Sequence, residues 1–290
     1  MSIDVVYDLG VSPSTYDFVS FLLASEMERL RVGADSIRLH ILPGPAGGFR
    51  ADLLPPFTIE ERQVMLERIV LPMAKLLPSC TAVTRHSERP SALAGCFGYG
   101  QRRYSLPFLL AAARAGVYPL RAPGQPVKSD PYITITLREA AYWPTRNSNP
   151  VEWMQVAQWL RSEGWRVVIV RDTARAHEVF GQFEVDTDAA LDLHHRASLY
   201  SGAALNLFTN NGPAWMCLFM GAPCMVVKMT ADDAPCVNDG YLGQHGFLRG
   251  SVWPNLLPMQ SVEWLTDRAD EIIPAVAKML NMASADRVFS

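Results

Sequence analysis

The chain has 290 residues, of which 49% are hydrophobic and 19% charged, with a formal net charge of -3. That balance belongs to a folded globular protein and excludes a global electrostatic drive toward nucleic acid or an acidic membrane, so any phosphate recognition must be local. The longest apolar stretch, residues 213–227, is broken by Gly221-Ala222-Pro223 and is too short to span a bilayer, so no integral membrane segment is expected.

In chain order, residues 3–7 read as a buried strand and residues 16–30 as a helix, with Ser14 or Thr15 as its cap. Residues 37–42 return to strand character, and this strand-helix-strand opening favours a parallel sheet. Residues 43–57, rich in Gly and Pro, read as a mobile or ligand-facing loop. Thr58 and Glu61 carry a capping-box signature for a helix running to about residue 77, and residues 80–84 suit the next strand. Another helix follows, and then residues 122–130 concentrate Pro, Gly and polar residues. That break predicts two α/β domains, residues 1–127 and 128–290.

The second half is more regular. Strands are expected at 132–137, 166–170, 203–208 and 224–227, and helices at 150–162, 174–180, 188–200 and 263–280. Such a βαβ succession binds ligands at the carboxyl ends of its strands. The start "MSIDVVYDLG" reads as a strand rather than a signal peptide, and the five cysteines show no CxxC pairing, as expected of reduced thiols in the cytoplasm.

The stretch "TNNGPAWMCLFMGAPCMVV", residues 209–227, combines a polar turn, a short apolar helix, a Gly-Ala-Pro break and a strand. Gly212 permits close approach, and Pro213 suits the first turn of a helix. Asn210, Asn211, Gly212 and Pro213 therefore either begin a buried helix or present a positive helix end to a diphosphate. Upstream, Arg138 sits just after a strand, where a guanidinium either clamps phosphate oxygens with paired donors or forms a surface ion pair. Arg146 and Asn147 lie in the following loop, and Trp143 is either a stacking surface for a base or sugar or a packed aromatic.

"LNLFTNNGPAWMCLFMGAPCMVV" resembles the late strand-turn-helix segment of the nucleotide-sugar domain of GT-B glycosyltransferases, especially the heptosyltransferase-like group. "YITITLREAAYWPTRNSNPVEWMQVAQWLRSEGWRVVIVRD" resembles the opening of the same domain. The resemblance covers residues 131–227, and the histidine typical of the family two residues after Gly-Pro is Trp215 here. It implies two Rossmann-like lobes in a GT-B-like arrangement. The donor would be a nucleotide sugar held by Arg138, Trp143, Arg146, Asn147, Asn210, Asn211, Gly212 and Pro213, without a further cofactor.

An inverting transferase needs a base near the acceptor hydroxyl. The family places an acidic residue after its first strand; Asp17 is the nearest match and Asp8 the competitor. Asp186 and Asp188 form a literal DxD but precede a helix that reads as structural, so no metal ligand is assigned and turnover is expected to be metal-independent. His194-His195 reads as structural or surface, since adjacent helical residues point apart. His86, Arg85, Arg102 and Arg103 suggest a glycan or a phosphorylated or acidic acceptor, and residues 231–247, including Asp239 and His245, read as a long irregular cleft loop. The alternatives are a non-catalytic glycan or nucleotide-sugar binding protein and a nucleotide-sugar 2-epimerase.

Overall fold

A computed structural model describes residues 1–51, 57–124 and 127–288, with side chains described to residue 282. Part of the loop read over 43–57 and part of the break read over 122–130 lie outside the described residues, at 52–56 and 125–126. The chain forms two units, Met1–Ala122 and Pro123–Ser290.

The first unit contains β1 (Ser2–Asp8), α1 (Phe18–Arg31), β2 (Ser36–Leu42), α2 (Ile59–Met65), α3 (Leu71–Ala74), β3 (Cys80–Arg85) and α4 (Leu106–Arg114). Its three strands are parallel in the order β1-β2-β3. Val5, Tyr7, Ile37, Leu39 and Ile41 are buried, as are most residues of α1. Neither Ser14 nor Thr15 caps α1; Asp17 occupies the cap position in helical backbone, without a side-chain capping bond. The Thr58–Glu61 capping box forms as read. The single helix expected to reach residue 77 is instead interrupted by a π-type turn, Leu66–Val70, and ends at Ala74. Pro72 has no N–H for the α-helical ladder, and a wider turn beside it accommodates that loss. Residues 43–49 close into a tight turn, with the Gly44 N–H donating to the Gly48 carbonyl at 2.8 Å. A Cβ at Gly44 would lie 2.4 Å from the Phe49 carbonyl, so this approach requires glycine.

The second unit contains β4 (Tyr132–Thr136), α5 (Pro150–Ser162), β5 (Arg166–Val170), β6 (Glu184–Val185), α6 (Thr187–Leu191), α7 (Leu193–Gly202), β7 (Leu205–Thr209), α8 (Gly212–Phe219), β8 (Cys224–Val227), α9 (Asp239–Gln244), β9 (Gln260–Val262) and α10 (Ala269–Val288). The six strands are parallel in the order β6-β5-β4-β7-β8-β9. Every residue of β4, β7 and β8 is buried, because helices cover both faces. One face carries Ile133, Ile135, Leu205 and Leu207 against Trp153, Val156 and Leu160 of α5 and Ile272 and Val276 of α10. Burying each such aliphatic side chain contributes about 1.5–3 kcal/mol. Within the sheet, Thr134 donates to the Asn206 side chain at 2.6 Å, so the buried polar atoms at its centre satisfy one another.

Three boundaries differ from the reading. The helix expected at 188–200 is split at Asp192, whose side chain accepts from the His194 and His195 amides at 2.7 and 3.0 Å and caps α7. The helix expected at 174–180 is one 3₁₀ turn, Thr173–Arg175. The last helix starts at Ala269 because residues 260–262 add an edge strand to the sheet.

Candidate functional site

The strand order places a switch point in the second unit. From β4 the chain proceeds outward through β5 and β6, then returns to the other side of β4 as β7. Connections leaving the carboxyl ends of β4 and β7 therefore diverge, and the crevice between them is where open α/β sheets bind ligands. The loop containing Arg138 follows β4, and the Asn210–Pro213 turn follows β7.

Arg138 is buried and organises its own loop. It donates to the Trp143 carbonyl at 3.1 Å, to the Tyr142 carbonyl at 2.9 Å and to the Asn147 side-chain oxygen. Burial, reinforced by the nearby Arg146 charge, lowers its pKa. Asn147 also accepts from the Ala140 amide at 3.1 Å and donates to the Ala140 carbonyl at 2.8 Å, so its side chain closes the same loop. Trp143, in left-handed backbone with φ 49°, packs against Ala231, Ala234 and Val237.

Arg146 faces the other connection. Its guanidinium donates to the Asn210 carbonyl at 3.2 Å and lies over the Trp143 ring, with its carbon 5.7 Å from the ring centroid. Its Nε is buried without a hydrogen-bond partner among the described residues. The Asn210 side chain donates to the Met229 carbonyl at 2.9 Å, and the Asn211 side chain accepts from the Ala214 amide at 3.0 Å, capping α8. A helix start leaves four amide positions outside its ladder. Here the Ala214 amide is capped and Pro213 has no N–H, which leaves the Asn211 and Gly212 amides as the two uncapped N–H positions of this helix start. Trp215, standing where the family's histidine falls, stacks on Trp253 with ring centroids 4.7 Å apart.

Lys228 was not singled out from sequence. It follows β8 with φ 53°, donates to the Asn147 carbonyl at 2.6 Å and lies 3.3 Å from the Asp267 carboxylate. Burial raises the Asp267 pKa despite Lys228 and the Asn149 amide. The signal in sequence was slight: a lone lysine ending an apolar strand.

In the first unit, Asp8 is buried at the end of β1 and all its acceptor directions are engaged. Arg89 reaches its two oxygens at 2.8 and 2.5 Å, and the Gly10 and Gly100 amides each donate at 2.9 Å. Burial pushes this carboxyl up, but the guanidinium and the amides outweigh it and hold the pKa below its ordinary value. Arg89 went unremarked in the sequence because its partner lies 81 positions away. Asp17 is exposed, with the Thr15 hydroxyl donating to it at 2.9 Å. His86 contacts His40 at 3.0 Å, and His40 contacts Asp4 at 2.8 Å.

Of the remaining candidates, Asp186 caps α6 through the Ala189 amide at 2.9 Å and also meets His195 at 3.0 Å. Within residues 231–247, Asp233 accepts from the Thr145 hydroxyl. Residues 231–247 are not wholly irregular, since they contain α9, and Asp239 pairs with Arg249 at 3.0 Å. Among the described residues, no helix is long and apolar enough to cross a membrane.

No protein-family model matches the chain, and no curated protein matches its sequence. Among solved structures, E. coli heptosyltransferase WaaC with ADP is similar, with a TM-score of 0.50 at 12% identity, over 96% of this chain and 100% of that chain. The glycosyl transferase family 9 structure from Veillonella parvula DSM 2008 matches with a TM-score of 0.47 at 12% identity, over 97% of each chain. At this identity the likeness is one of fold. The chain has a GT-B-like α/β fold, each of its two units Rossmann-like.

Proposed function

We propose that the chain is a glycosyltransferase that moves a sugar from a nucleotide-sugar donor to a glycan acceptor. The observation that carries this reading is the hydrogen bond from Arg146 to the Asn210 carbonyl, which joins the two motif loops at the switch point of the second unit. Arg146, with its unpartnered Nε, and the amides of Asn211 and Gly212 are the groups assigned to the donor diphosphate. Arg138 and Asn147 hold the loop that presents Arg146, and Trp143 backs its guanidinium. As the acceptor hydroxyl forms its bond to the anomeric carbon, the bond to the diphosphate breaks, and these donors stabilise the leaving charge.

Transfer also needs a carboxylate to take the hydroxyl proton, and we assign that role to Asp17. Asp8, held low by Arg89 and two amides, is a poor base because its lone pairs are already engaged. Turnover is proposed to be metal-independent, since charge neutralisation comes from the guanidinium and the helix end. The free thiols at all five cysteines support a reducing compartment such as the cytoplasm.

The test is a binding panel of nucleoside diphosphates and nucleotide sugars, beginning with ADP, the ligand named for the similar WaaC structure. Selective binding that Arg146→Ala weakens supports the donor site; no binding by the folded protein overturns it. Product analysis then separates transfer from epimerisation of the sugar nucleotide and from binding without turnover.

A further inference from the structure

The first unit contains a cavity of about 660 Å³ at the carboxyl ends of β1 and β2, a volume within the usual range of small-molecule sites. We propose that this cavity binds a neutral polyhydroxylated ring, a saccharide carrying neither carboxylate nor phosphate. As an acceptor site it rests on the glycosyltransferase reading; as a saccharide site it stands apart from it.

Charge is the first reason. The described lining holds two carboxylates, Asp8 and Glu88, against one guanidinium, Arg89. Arg89 is already neutralised by Asp8, and it also donates to the Pro43 carbonyl at 2.9 Å. At least three of its five N–H groups are thus engaged, Tyr99 adds a further side-chain hydrogen bond and an aromatic face 5.0 Å away, and what remains suits a hydroxyl oxygen. An anion competing for the guanidinium would leave the buried Asp8 carboxylate without its counter-ion, which a neutral hydroxyl does not require.

The shape of the wall is the second reason. Gly10 and Gly44 bring bare backbone to the lining. A Cβ at Gly10 would lie 3.0 Å from Asp8 Oδ1, and one at Gly44 would meet the Gly10 Cα at 2.8 Å as well as Phe49. Pro43 and Pro45 add apolar surface for the C–H faces of a ring. Hydroxyl groups, which both donate and accept, match the polar groups left in that lining, the Ser87 hydroxyl, the Glu88 carboxylate and the remaining Arg89 donors.

The arginines that suggested an acidic acceptor are the third reason. Arg85 is paired with Glu67 at 2.7 Å and Gln63 at 3.0 Å, and Arg103 donates to Gln101 at 2.8 Å and lies over the Phe97 ring. None of the three arginines, Arg102 included, lines the cavity.

The experiment is ligand-detected NMR on the full chain with glucose, galactose and their disaccharides, set against glucuronate and glucose 6-phosphate. The proposal expects the neutral sugars to bind at least about tenfold more tightly than the charged ones, a difference of about 1.4 kcal/mol. Ser87→Trp, an exposed substitution that fills the cavity, should abolish that signal, and Glu88→Lys should narrow the neutral-over-charged preference. Preference for the charged sugars, absence of saccharide binding, or binding unaffected by Ser87→Trp in verified folded protein would each overturn it. ADP binding is scored separately: saccharide binding without ADP binding sinks the glycosyltransferase reading alone, and the reverse outcome sinks only this one.

Discussion

Arg146 donates to the Asn210 carbonyl at 3.2 Å across 64 positions of sequence, and its Nε is buried without a partner among the described residues. A guanidinium held by one backbone carbonyl, the Cys236 sulfur at 3.7 Å and one aromatic ring retains capacity for an anionic ligand. Its neighbour Arg138, by contrast, spends its donors on three loop oxygens.

Arg146→Ala should therefore weaken nucleoside diphosphate binding by roughly 10- to 100-fold, corresponding to about 1.5–3 kcal/mol for a hydrogen bond to a charged group. Its effect on folding should be small, with a thermal midpoint shift of roughly 2–4 °C at most. All seven tryptophans lie in the second unit, so intrinsic fluorescence during ADP titration is a direct readout. Unchanged affinity in this variant would remove Arg146 from the site.

Arg138→Ala should behave differently. Removing the guanidinium leaves loop oxygens without their donor, and the expected loss is about 2–4 kcal/mol of stability, read by urea denaturation. Weakened donor binding should accompany that loss. An Arg138 variant of normal stability that loses only binding would instead make this residue the direct phosphate contact.

The two first-unit carboxylates make a paired test. Asp17→Asn should lower turnover by about 10²–10⁴-fold while sparing ADP binding and the thermal midpoint. Asp8→Asn should cost about 2 kcal/mol of stability by weakening the Arg89 pair. Near-normal turnover in Asp17→Asn would eliminate it as the base.

Stability of the first unit should fall on acidification in two steps. His86 has its pKa lowered from 6.5 by burial and then by His40, so the folded state binds this proton less readily than the unfolded chain. That contribution is present above pH 6.5 and is lost as pH drops through that value toward the folded pKa. Asp4, held at about 2 rather than 3.8 chiefly by its hydrogen bond to Arg38, contributes on the order of 2 kcal/mol. This second contribution disappears as pH falls from about 3.8 toward 2. Hydrogen exchange of β1–β3 should follow both steps, and His86→Gln should remove the upper one. An NMR titration midpoint for His86 above 6.5 would reverse the sign.

Turnover should survive EDTA. Loss of activity that returns only with added divalent cation would reassign charge neutralisation from Arg146 and the α8 start to a metal.

The local sequence determined much of this protein. Pro150 and Gly164 bracket α5, Thr58 and Glu61 cap α2, and Asn211, Gly212 and Pro213 begin α8, because caps and breakers act over one helical turn. The β-branched run at 166–170 forms a buried strand for a similarly local reason. Periodicity alone was insufficient where a polar residue had two roles: Asp192 fits inside a helical pattern, yet its carboxylate caps the next helix. Tertiary structure decided which motifs meet and which charges are satisfied. Only the strand order sets β4 beside β7 and brings Arg146 to Asn210. Only the packed loop turns Arg138 inward, and only long-range pairing gives Asp8 its Arg89 partner. Arg146 and Asp8 depend on partners tens of residues away and Arg138 on the desolvation of its own packed loop, whereas caps, turns and hydrophobic period are local properties of the chain.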